Sequence, residues 1–175
     1  MFAMFKQKNN YMDDAARVYA VCLLRSREAV FYEGMAVPDS FDGRFDLLCL
    51  HVFLVMDRLG EGYAAFNQAL FDVMFQDMDQ TLREMGIGDM GVPKHQKKMM
   101  MGFNGRMESY ATAARAGREA FGAVLRRNVY GTVSDVDAAA VSRCVDYVFH
   151  NREMLQDVMA ARIVDGDFEF MEVGE

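Results

Sequence analysis

One stretch limits the fold of this chain more than any other. From about Asp42 to Leu59, Phe45, Leu48, Cys49, Val52, Phe53, Met56 and Leu59 recur at helical spacing, and Leu47, Leu50, Leu54 and Val55 carry apolar character onto the other faces. A helix apolar nearly all round has no side for water and must be enclosed by neighbours. Those neighbours have to be helices as well. Two prolines, two isoleucines and three threonines in 175 residues leave little material for a β-sandwich or barrel. The expectation is an all-α protein, a single compact helical domain of about six helices around a buried central helix. It would span residues 12–162, between an N-terminal tail at 1–11 and an extended C-terminal tail at 163–175.

Around the central helix the punctuation predicts the others. A first helix runs from Met12 or Asp13 to about Tyr32 and stops at Gly34; a third runs from about Tyr63 to Met85, with Phe71, Phe75, Met78, Leu82 and Met85 on one stripe. A fourth starts near Pro93, a residue suited to a first turn. A fifth, roughly Arg115 to Tyr130, is either continuous with it or broken near Gly117. The last begins at Ser134, where Ser134-Asp-Val-Asp137 reads as a capping box, and its stripe reaches Met159 and about Arg162. The longest apolar run, Leu47 to Met56, would span about 15 Å as a helix against a hydrocarbon core of about 30 Å. The N-terminus lacks the features of a signal peptide, and Cys22, Cys49 and Cys144 sit in apolar patterns as reduced core thiols. The expected compartment is the cytoplasm.

The net charge of −7 is unevenly spread. Residues 33–89 carry eleven acids against three bases, whereas residues 92–130 carry eight bases against two acids. Three of the five lysines fall at Lys94, Lys97 and Lys98, in the first turns of the fourth helix, where positive charge opposes the helix dipole. A local rule broken in this way points to function, here an anionic partner. No nucleic-acid fold or interleaved aromatics accompany the lysines, so neither RNA nor DNA is favoured over lipid head groups or an acidic protein surface. The 16 methionines fall mostly on core stripes, where filler is the default reading, although methionine also makes adaptable contact surfaces.

Catalysis finds no support. Gly86-Ile-Gly-Asp-Met-Gly91 spells a dinucleotide fingerprint, but a helix rather than a strand enters it, so a helix–helix turn with Gly86 as the C-cap is the better account. Asp77 and Asp79 point to different helix faces and make no carboxylate pair. His150 with Asp146 and Glu153 offers metal-ligand spacing, yet such a trio is more often a solvated face. His51, in the most buried helix, is by default a satisfied core histidine. It is also the obvious candidate if the protein binds a small ligand (a quinone, haem or lipid) between helices. The expectation is no enzyme, no metal and no cofactor.

Three segments together resemble a known family. They are Val37 to Leu59, Phe71 to Gly91 with its Asp77-Met-Asp79 and Leu82-Arg-Glu-Met-Gly-Ile-Gly-Asp89, and Lys94 to Tyr110. The combination is similar to the ubiquinol–cytochrome c chaperone family, the assembly factors of the cytochrome bc1 complex, and to a bacterial member. That resemblance implies a non-enzymatic assembly chaperone that binds newly made cytochrome b or a bc1 assembly intermediate at the cytoplasmic face of the inner membrane. It also implies work near the ribosome exit at the inner membrane, where the lysine cluster would meet an anionic membrane surface. The expected partner surface is the Gly86–Gly91 turn with the lysine-rich helix start, with Asp77, Asp79, Arg83, Asp89, Lys94, Lys97, Lys98 and Arg106 as its polar members. A structural rival for part of this set has Asp89 capping a helix and Arg83 pairing with Asp79 one turn away.

Overall fold

Ser40 sets the start of the central helix. Its hydroxyl accepts a hydrogen bond from the Gly43 amide at 3.1 Å, capping α3 (Phe41–Leu59). A Cβ at Gly43 would lie 2.0 Å from the Pro38 carbonyl oxygen, so the loop can fold onto this first turn only over a glycine. Every residue of α3 from Phe45 to Val55 is buried, as its all-round apolar character demands. The protein is known here as a computed structural model that describes residues 2–173, and the side chains of residues 11–173.

Among the described residues there are eight α-helices and no strand, in one compact domain. The others are α1 (Phe2–Ser26), α2 (Ala29–Glu33), α4 (Ala64–Glu84), α5 (Val92–Ala116), α6 (Arg118–Asn128), α7 (Ala138–Asp157) and α8 (Ala160–Val164). The helix α3 is held between α1, α5 and α7, with α8 at its end; α4 lies across α1 and α5, and α6 joins α5 to α7. Residues from all of these helices enter one hydrophobic core.

Several boundaries differ from the sequence reading, each for a local reason. No glycine or proline interrupts residues 2–12, and α1 runs from Phe2, so residues 2–11 are helix and not a tail. The single helix expected to reach Tyr32 breaks after Ser26. There the Ser26 hydroxyl donates to the Leu23 carbonyl at 2.9 Å, and the Tyr32 hydroxyl donates to the Ser26 carbonyl at 2.6 Å. The break turns Phe31 into the core. Gly117, with φ of 113°, separates α5 from α6. The capping box at Ser134 is not used: Asp137 caps α7, accepting from the Ala139 amide at 3.0 Å. The same helix ends at Asp157, so Met159 leaves the expected stripe and is exposed.

Beyond α8 the chain follows no regular element, but it is not loose. Phe168 and Phe170 are buried, and the Phe170 ring lies 5.0 Å from that of His51. Arg25 Nη2 donates to the Met171 carbonyl at 2.5 Å, and the Met171 amide donates to Asn151 Oδ1 at 2.8 Å. The segment straps α1, α3 and α7 together.

Candidate functional site

The turn between α4 and α5 is built by its glycines. Gly86, at φ of 85°, donates to the Arg83 carbonyl at 2.9 Å, and Ile87 donates to the Leu82 carbonyl at 3.1 Å. This pair of bonds is a Schellman motif, which ends a helix over a left-handed glycine. The glycine-rich run is therefore the helix–helix turn its context implied, with Ile87 and Leu82 stacked beneath it on one wall of a cavity of about 340 Å³. Phe41, Phe45 and Asp46 of α3 and Lys98, Met99 and Arg106 of α5 line the same cavity.

The first turn of α5 contains no acidic residue, and Gly91 offers no side-chain cap. Lys94, Lys97 and Lys98 are exposed there, and among the described residues none lies within ion-pair distance of a carboxylate. Helical spacing puts Lys94, Lys98 and Met101 on one outward stripe, with Lys97 beside it. Met101 is 67% exposed, and at the turn Met85 and Met90 are 56% and 96% exposed. The result is a cationic helix start edged by exposed, polarizable thioethers, a surface suited to an anionic or amphipathic partner.

The other expected site residues divide differently. Arg83 pairs with Asp79 at 2.6 Å and also with Asp89, so Asp89 joins an ion cluster and does not cap a helix. This cluster ties the end of α4 to the turn that leads into the lysine-bearing helix. Asp77 faces the other way and accepts from the Tyr19 hydroxyl at 2.6 Å, tying α4 to α1. Arg106 is engaged inside the chain: it forms an ion pair with Asp46, lies 5.6 Å from the Phe45 ring centre and donates to the Gly102 carbonyl at 3.0 Å. Burial pushes the Asp46 carboxyl up to about 6, with Arg106 pulling the other way. Asp46 escaped the sequence reading because it sits within the apolar run of α3 and its partner lies on another helix.

The histidine and the metal-like spacing resolve into structure. His51 Nδ1 donates to the Leu47 carbonyl at 2.8 Å, which leaves Nε2 to accept from the Tyr147 hydroxyl at 2.9 Å. The Tyr147 oxygen in turn accepts from Arg25 Nε at 3.2 Å. Burial pushes the imidazole down to about 4, so it is neutral and both nitrogens are taken. Asp146 pairs with Arg118 rather than with His150. Among the described residues no three His, Cys, Asp or Glu side chains gather as a metal site, and the three cysteines are buried free thiols.

Of the fourteen methionines at positions 11–173, five are exposed. The sequence placed Met85 and Met159 on core stripes. Both fall at helix ends, where the stripe no longer faces the core.

Comparisons with known proteins agree with this architecture. Residues 33–170 match the family described as ubiquinol-cytochrome C chaperone. The crystal structure of the Cbp3 homolog from Brucella abortus superposes with a TM-score of 0.81 at 33% identity, covering 98% of this chain and 97% of that one. Among curated proteins none matches. With its family matched over most of its length and a helical relative covered nearly end to end, the chain belongs to the ubiquinol-cytochrome C chaperone family.

Proposed function

We propose that this chaperone binds newly made cytochrome b, or an early bc1 assembly intermediate, at the cytoplasmic face of the inner membrane, and acts by holding rather than by catalysis. The observation that carries this reading is the α5 start, where Lys94, Lys97 and Lys98 are exposed and, among the described residues, paired with no acid, beside Met90 and Met101. Among the described residues no helix is long and apolar enough to cross a membrane, so attachment would be through such a surface. A lysine near an anionic leaflet contributes about 1 kcal/mol, screened by salt. The family membership supports the bc1 client, and the exposed methionines suit an apolar client segment.

Co-sedimentation with phosphatidylcholine vesicles, with and without phosphatidylglycerol, tests the membrane half. Wild-type protein should pellet with the anionic vesicles at low salt, and the K94Q/K97Q/K98Q variant should bind at least about tenfold more weakly. Equal pelleting of the two proteins would remove the lysine face from the account.

A further inference from the structure

A second surface lies on the other side of α5. Two depressions, of about 590 and 670 Å³, run along the seam between α4 and α5 and meet at Phe71. On α5 they are lined by Gln96, Met100, Phe103, Met107, Ala111 and Arg115, a single helical stripe about 28 Å long. The floor is aromatic: Phe71 lies 4.6 Å from Phe75 and 5.3 Å from Phe103 between ring centres. Met100 and Met107 are only partly buried beside it. The α4 wall and the turn before it bring Glu61, Asp72 and Asp79 into the lining and no lysine or arginine.

We propose that this α4–α5 groove takes an amphipathic helix of a partner protein, about five turns long, with an aliphatic stripe and a basic flank. Length and spacing favour a helix, because side chains one turn apart can drop between those of the α5 stripe. An extended peptide gains nothing here, since both walls are helices with their backbone groups already paired. The acidic wall selects a basic flank and repels an anionic lipid surface. Methionine and phenylalanine on the floor let the groove adapt to the helix it receives. None of Lys94, Lys97 and Lys98 lines the groove, so this inference is independent of the membrane-facing reading.

The test uses the whole protein and a fluorescein-labelled helical peptide of about five turns, with leucine on one face and lysine on its flanks, followed by anisotropy. A matched peptide carries glutamate in place of lysine. The lysine peptide should bind, and the glutamate peptide should bind at least about tenfold more weakly. Ala64→Arg with Ala111→Arg fills and recharges the groove and should weaken the lysine peptide about tenfold, whereas K94Q/K97Q/K98Q should change it less than about twofold. Where the groove variant fails to fold by circular dichroism, Glu61→Lys with Asp72→Lys serves instead and should reverse the preference between the two peptides. No binding, equal binding of both peptides, or undiminished binding to the folded groove variant overturns the proposal. So does a wild-type dimer in analytical ultracentrifugation that the groove variant abolishes, because the occupant is then a second copy.

Discussion

Asp46 and Arg106 meet across α3 and α5 where water is scarce, and the pair is sensitive to pH. The folded carboxyl titrates near 6 rather than its ordinary 3.8. Its neutral form therefore adds stability that is fully present below about pH 3.8 and lost as pH rises through about 6. At neutral pH the charged carboxylate depends on Arg106, and removing one partner of a buried pair typically costs about 3 kcal/mol. Urea unfolding of Arg106→Met should show a loss of that order at pH 7.5 and a much smaller one at pH 4.5. An equal loss at both pH values would mean that Arg106 contributes packing over Phe45 rather than charge. Residue-level partners of this kind were not legible in the sequence. A satisfied core histidine could be inferred at His51, but not that Tyr147, 96 positions away, satisfies it.

Elements were easier to read than their ends. The all-round apolar pattern identified α3 as central because burial on every face leaves one arrangement, and glycines with special backbone angles marked the turns at Gly86 and Gly117. Boundaries that depend on one side-chain hydrogen bond, at Ser26 or Asp137, carry no periodic signal and were misplaced. The C-terminal segment is the clearest case. Phe168-Glu-Phe170 alternates as a half-buried extended segment would, yet no partner strand announces where its apolar side goes. It goes against His51, with Arg25 and Asn151 fastening the backbone at Met171. Phe170→Ala should lower stability by about 3 kcal/mol in urea unfolding, because a buried ring is removed from a packed core. A change within about 0.5 kcal/mol, the range of ordinary surface substitutions, would show that the strap is not part of the core.

Across the whole molecule, charge and methionine are sorted by surface. Uneven charge along the sequence folds into a lysine face at the start of α5 and an acidic wall on α4, two sides of the same helix pair. Lys94, Lys97 and Lys98 are legible because they violate the helix-dipole preference, with no acid in the first turn of α5 to compensate. Arg106 and Asp77 join them only as members of the segments that resemble the family, which does not distinguish a side chain turned inward from one turned out. The exposed methionines were hidden by composition, since a core methionine and a contact methionine look alike until the helix ends are known. Whether this chain sustains bc1 assembly is read from the reduced-minus-oxidised spectrum of cytochrome b in membranes of a strain lacking the protein. The expected result is a loss of the cytochrome b signal that the wild-type chain restores and K94Q/K97Q/K98Q restores poorly; undiminished cytochrome b in the deletion strain would overturn the chaperone function.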